Sequence, residues 1–283
     1  MGYVLGLSHL PQPPPNQTMR PKEPIDLGKE FRKLFDRFTY RRNWHDAFRD
    51  FIDITACVVH QEPYHRGLLE RDDDFERIEE LYMSTIKRFD KEELDLVSKL
   101  YAFTHMALGS TGEDFLGQQY MDLEIHNKHN GEYFTPTHMA RMMAELSMQG
   151  CEDTIQSKGY ITLQEPTCGA GVMVIEAANV IRRHGHDPRY TMLFQAIDIN
   201  RVCFNMAYIQ LSMLGLAGNV IHGDTLRAEV WECRATPQWK LMTKHHVPAE
   251  ILPNVIVPLK QKVEVPVPQA AQARSTQQFA FQF

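Results

Sequence analysis

Three short apolar runs in the second half of the chain, spaced by helical stretches, limit its possible folds more than any other feature. "YITLQEP" (160–166) and "MLFQAID" (192–198) read as short buried strands, each followed by a stretch of helical period, 172–184 and roughly 200–215. "NVIHGD" (219–224) reads as a third strand. Strands alternating with helices imply right-handed βαβ crossovers and a parallel sheet. The expected class is α/β.

The period is different before Gly131. From Ile25 to about Leu123 apolar residues recur at three- and four-residue intervals: Leu27, Phe31, Leu34, Phe35 and Phe38, then Trp44, Phe48, Phe51 and Ile52. "DFERIEELYMSTIKRF" and "KEELDLVSKLYAFTHMAL" continue the habit between charge-rich turns. A small helical bundle is expected, its aromatic stripes forming core rather than a base-stacking platform. Residues 1–24 include "LPQPPPNQTMRPKEP", whose prolines lack the donors that helices and sheets need. They read as an extended arm or, alternatively, a peptide ligand for a partner. Beyond Asp224, "VPAEILPNVIVPLKQKVEVPVPQ" is apolar but broken by prolines that suit edge strands or extended segments. The expected organisation is an arm at 1–24, a helical domain at 25–123, an α/β domain at 124–260 and a flexible tail at 261–283.

The 283 residues suffice for one large domain or two modest ones. A hydrophobic content of 43% with 23% charged residues is that of a soluble globular protein. A net charge of −6 argues against coating nucleic acid by bulk electrostatics, though not against a local basic groove. Cys57, Cys151, Cys168, Cys203 and Cys233 are scattered without a CxxC pair, which favours free thiols over a disulfide framework or zinc site. With no leader pattern and no apolar run near twenty residues, a cytoplasmic protein without a membrane span is expected.

Chemistry is expected at the turn in "QEPTCGAGVMVIEAANVIRR" (164–183). In a parallel α/β sheet, ligands sit beyond the carboxyl ends of the strands, against a helix N-terminus. Gly169 and Gly171 remove Cβ atoms that would hold a ligand off the backbone. A lone GxG is weak, and the third glycine of a dinucleotide fingerprint is missing. On the glycines alone, a structural turn accounts for the pattern as well as a cofactor site. Asp198 ends the second strand, where a carboxylate can accept both hydroxyls of a ribose. Asp224 ends the third, positioned to accept from an adenine amine. Together they favour a nucleoside cofactor. S-adenosylmethionine fits better than NAD: Glu165 suits a methionine ammonium, and the helix N-terminus suits its carboxylate.

A longer segment, "DFLGQQYMDLEIHNKHNGEYFTPTHMARMMAEL" (114–146), resembles the region preceding the catalytic sheet in modification subunits of type I restriction–modification systems. That family has a "GxFYTP"-like stretch opening a helix. Here it stands as Gly131-Glu132-Tyr133-Phe134-Thr135-Pro136, and "EPTCGAG", "AIDIN" and "GDTL" follow in the family's order. The likeness spans roughly 114–226. It implies a Rossmann-like, S-adenosylmethionine-dependent methyltransferase sheet preceded by helices, acting on adenine N6 in DNA. It also implies DNA as partner and a specificity or other restriction–modification subunit as companion. Carried over by position, Thr135 and Pro136 contact the methionyl end, and Glu165, Gly169 and Gly171 form the cofactor loop. Asp198 then holds the ribose, Ile199 packs on the adenine ring and Asp224 holds its amine. Proline suits a first helical turn, and threonine before it can cap free amides.

The chain departs from the family where the target base is held. The amine of adenine is delocalised into the ring, so its attack on a methyl needs acceptors that draw its protons. The family supplies these with an Asn/Asp-Pro-Pro-aromatic tetrad, which this sequence lacks. The nearest candidate is Thr236-Pro237-Gln238-Trp239, with Trp239 to stack on the base and "AEVWECRA" as the strand presenting it. A complete sheet has about seven strands, and only three or four are credible here. Two readings therefore stand: an adenine-N6 DNA methyltransferase, or a non-catalytic relative that binds cofactor or DNA and modulates a partner. Methylation of RNA or protein fits the resemblance less well.

Other candidates are weaker. His126 with His129, and His245 with His246, lack a third ligand at useful spacing, so no metal is expected. Arg182, Arg183, His184, His186 and Arg189 form a basic cluster, read as a solvated face ahead of a phosphate contact. Cys168 lies in the turn without an accompanying base.

Overall fold

The leading amides of a helix have no partner within it, and short polar side chains satisfy them best. The first five helices each follow an Asp or Asn whose side chain accepts a backbone N–H of the opening turn. Asp26 caps α1 (Leu27–Phe38), Asn43 caps α2 (Trp44–His65) and Asp72 caps α3 (Asp73–Ile86). Asp90 caps α4 (Lys91–Thr111), with Glu93 returning the bond, and Asp114 caps α5 (Phe115–Asp122). These elements come from a computed structural model that describes residues 25–40, 43–123 and 134–245. The proline-rich arm, the segment from Gly131 to Tyr133, His126, His129, His246 and the tail lie outside the described residues.

The phenylalanines of the α1 and α2 stripes are core, as their spacing predicts, whereas Trp44 at the start of α2 is 41% exposed. Phe31 meets Phe51 at 5.6 Å between ring centroids, and Phe35 meets Phe48 at 5.8 Å, both edge-on.

The remaining elements are α6 (Thr137–Ser147), α7 (Cys151–Lys158), β1 (Ile161–Glu165), α8 (Val172–Arg183), α9 (Pro188–Thr191), β2 (Met192–Asp198), α10 (Arg201–Met213), β3 (Ala217–Asp224), β4 (Glu229–Ala235) and α11 (Pro237–His245). The sheet runs β1-β2-β3-β4. Its first three strands are parallel, Glu165 lying beside Ala196 and Asp198 beside His222. Both steps move the same way across the sheet, so right-handed crossovers place α8 and α10 on one face. The three expected strands and two expected helices are present. Among the described residues, no helix is long and apolar enough to cross a membrane.

The fourth strand departs from expectation. "EVWECRA" returns antiparallel along β3 instead of crossing over. Its charged residues explain why it reads poorly as a buried strand. Arg234, 2% exposed, bonds Glu232 and donates to Oδ1 of Asn205 at 3.1 Å, and Arg201 bonds Glu232 as well. Asn205 in turn donates to Asp53 of α2 at 2.7 Å.

One contiguous cluster of buried apolar side chains runs from Phe31 in α1 to Val220 in β3. The N-terminal helices and the sheet therefore share a core. Gln210 of α10 joins them with four hydrogen bonds: its oxygen accepts from Phe115 and Leu116 N–H at 2.8 and 2.9 Å, and its amide donates to Asp114 and the Ala170 carbonyl at 2.7 and 2.8 Å.

Candidate functional site

Parallel pairing of β1, β2 and β3 brings Glu165, Asp198 and Asp224 to one edge, the carboxyl ends of the strands. The turn 166–171 runs across this edge into α8. Gly169 has φ +54° and Gly171 φ +97°, a backbone region that residues with a Cβ enter at a cost. Gly171 also lies close under α10: a Cβ there would stand 3.5 Å from Leu211 and 3.6 Å from the Cα of Ala207. The turn is held from both sides, Cys168 N–H donating to Ile197 O at 2.8 Å and Gly169 N–H to Oδ2 of Asp198 at 2.8 Å.

Asp198 therefore organises the turn. Its other oxygen accepts from Asn200 N–H at 2.8 Å. A carboxylate offers two oxygens with about two lone pairs each, the acceptor type that a pair of ribose hydroxyls needs. Oδ1 of Asp224 accepts from Leu226 and Arg227 N–H at 2.9 and 3.1 Å, closing the β3–β4 turn. Its Oδ2 stands 3.6 Å from Nε of Arg227 and keeps acceptor capacity for an exocyclic amine. Glu165 is 7% exposed and accepts from Thr167 N–H at 3.2 Å. Burial pushes its carboxyl up, and the nearby Asp198 charge adds to this against the Thr167 bonds. A cationic amine at this position relieves that cost. These residues fit a nucleoside carrying an amino acid.

Phe134 brings the start of α6 to the same turn, its ring about 3.5 Å from where a Cβ on Gly169 would lie. Thr135 and Pro136 are exposed beside it. They do not cap the helix as expected. α6 begins at Thr137, and Pro136 is the capping residue with no side-chain hydrogen bond. The Pro136 carbonyl accepts from the N–H groups of Met139 and Ala140 at 2.9 and 3.0 Å, so it starts the helix through its backbone.

Two further residues belong to this edge and escaped the sequence reading. Thr225 donates its hydroxyl to Pro166 O at 2.6 Å, tying the β3 loop to the turn. Leu226, 98% exposed, shares the rim with Ile199, 60% exposed. "GDTL" follows the third strand directly, and that position was the only available signal for them.

The candidate base-binding loop is elsewhere. β4 runs antiparallel, so it delivers Thr236 to the amino ends of the parallel strands. Ala235 pairs with Asn219, five residues before Asp224, which at about 3.3 Å per residue is roughly 16 Å along the strand. Thr236 is fully buried, donating to Leu216 O at 2.7 Å and accepting from the N–H groups of Gly218 and Trp239 at 3.2 and 3.3 Å. Pro237 opens α11, and Gln238 donates to Arg189 O at 3.3 Å. Trp239, 4% exposed, packs on Leu193 and Ala217. Thr236-Pro237 is a helix start, and Trp239 fills core. The geometry gives the four residues no approach to the glycine turn.

The basic cluster lies at the end of α8 away from the turn, and much of it is paired: Arg183 with Glu145 at 2.6 Å, His184 with Glu152 at 3.4 Å, Arg189 with Asp187 at 2.6 Å. It is a solvated face. Cys168 is 3% exposed, and burial pushes its thiol well up, which suits packing rather than attack.

Comparison with known proteins places this site in context. No curated protein matches the chain. Among solved structures, it is similar to a protein of Listeria monocytogenes described as a class I S-adenosylmethionine-dependent methyltransferase, at 13% identity and a TM-score of 0.35. The match covers 71% of this chain and 54% of that one, so the chain spans about half the length of that structure. The family model described as N-6 DNA methylase matches residues 108–249, from the end of α4 past α11, taking in the turn and all three acidic strand ends. With half of its length matched, the chain belongs to the N-6 DNA methylase family.

Proposed function

We propose that the chain binds S-adenosylmethionine at the carboxyl edge of β1–β3 and serves methyl transfer to adenine N6 in DNA, as part of a restriction–modification system. The observation that carries this reading is the Gly169 amide held by Asp198, with Glu165 and Asp224 on the same edge. Bound cofactor supplies a methyl group on a sulfonium. Asp198 takes the ribose hydroxyls, Ile199 and Leu226 flank the adenine, and Oδ2 of Asp224 accepts from its amine. Glu165 faces the ammonium, and Gly169 and Gly171 let the backbone approach. Thr135 and Pro136 contact the methionyl end.

A second reading is favoured by the burial of Thr236 and Trp239 at the opposite end of the sheet. On it, the chain holds the cofactor while the acceptors that activate the adenine amine come from a partner, such as another restriction–modification subunit. Incubating the purified full-length chain with DNA and methyl-labelled S-adenosylmethionine separates the two. Label in N6-methyladenine by the chain alone supports the first reading. Cofactor binding without incorporation, restored by a partner subunit, supports the second.

A further inference from the structure

Ile199 directly follows Asp198 and leaves the sheet with 60% of its surface exposed. Its carbonyl oxygen lies 3.2 Å from Nε2 of His222, the β3 residue beside Asp198 in the ladder. A carbonyl only accepts, so that nitrogen carries the proton. The imidazole is packed on two sides, by Phe204 of α10 at 5.6 Å and Trp231 of β4 at 4.8 Å between centroids, the indole edge-on. The register slips at this point: His222 pairs with Glu232 and Gly223 with Val230, so Trp231 is the extra residue of a β-bulge. Bulges re-aim side chains, and this one keeps a half-exposed indole on the histidine. Arg201, Glu232 and the buried Arg234 are the charged groups around the ring. Burial, then the Arg201 charge, lowers the histidine's pKa, which keeps the ring neutral with a single proton to donate.

We infer that His222 and Trp231 are positioning residues for the nucleoside end of the cofactor site: the indole fixes the imidazole, and the imidazole fixes the Ile199 backbone beside Asp198. This rests on the S-adenosylmethionine reading. Neither side chain touches the ligand in this account. Trp231 is one of three tryptophans, and of the others Trp239 is buried under the sheet while Trp44 lies on α2. Its emission therefore reports on the site.

The test is titration of the full-length protein with S-adenosylhomocysteine, followed by calorimetry and by tryptophan emission. His222→Leu and Trp231→Ala are expected to weaken binding about tenfold. His222→Gln, whose amide can still donate to the Ile199 carbonyl, is expected to stay within about threefold of wild type. A purely structural histidine would show no such split between Gln and Leu in variants of equal urea midpoint. Ligand is expected to shift emission in wild type and not in Trp231→Phe, and this arm decides alone should His222→Leu fail to fold. Wild-type affinity in folded His222→Leu, or an emission shift retained in Trp231→Phe, overturns the inference and leaves the cofactor reading intact. Absence of binding by wild type overturns both.

Discussion

The side chain of Gln210 is fully buried, and all four of its hydrogen bonds go to groups outside α10. Replacing it with leucine leaves two backbone N–H groups, the Ala170 carbonyl and the buried Asp114 carboxyl short of partners, and each orphan costs about 1–3 kcal/mol. Gln210→Leu is expected to lose at least about 3 kcal/mol in urea unfolding, and an unchanged midpoint would contradict the role given to it. Nothing local in the sequence marks this residue: a mid-helix glutamine is an ordinary helix former, and its partners lie far away along the chain. Trp239 teaches the converse. Its spacing after Asp224 suggested a stacking ring, but the fold makes it core. Trp239→Ala should therefore cost about 3–5 kcal/mol, while the protein that remains folded keeps its cofactor affinity. A loss of affinity with unchanged stability would return it to the site.

At the scale of elements, β1, β2, β3 and the helices between them were legible because apolar runs of strand length are bounded by capping residues and glycines. The glycine turn was legible for the same reason, although its two glycines alone fit a structural turn as well as a ligand site. β4 was not. Whether a strand crosses over or folds back depends on the few residues that join it, here the Asp224-capped turn with Ala228 at φ +53°. Alternation in "EVWECRA" was also obscured by Glu232 and Arg234, which are apolar neither in composition nor in partners. Breaking a buried ion pair by removing one member costs about 3–5 kcal/mol. Arg234→Ala should lose stability on that scale by chemical denaturation, whereas a loss under about 1 kcal/mol would show the network to be incidental.

For the whole molecule, the shared core implies that the N-terminal helices and the sheet unfold together. Far- and near-ultraviolet circular dichroism should give one urea midpoint, and two would show that the helices form a separate unit. Acid should find a shared weak point in His60, 1% exposed between α2 and α10, with Nδ1 3.2 Å from the Tyr208 hydroxyl. Its Nε2 lies 3.3 Å from Asp74 but lacks hydrogen-bond geometry. Burial, then the Lys240 charge, brings its pKa down to about 3 from an ordinary 6.5. Between those values the unfolded chain binds a proton that the folded one does not. The stability is whole above pH 6.5 and falls on acidification by up to about 1.4 kcal/mol per pH unit. His60→Phe should flatten urea midpoints between pH 6.5 and 4.5, and an equal slope in both proteins would place the acid sensitivity elsewhere. The central claim is that the carboxyl edge of this sheet holds S-adenosylmethionine through Asp198. Calorimetric titration of the full-length chain and of Asp198→Ala tests it most directly. Hydrogen bonds to a charged group contribute about 1.5–3 kcal/mol, so one site in wild type and binding at least tenfold weaker in the variant are predicted. Absence of binding by wild type, or equal affinity in the two, would contradict it.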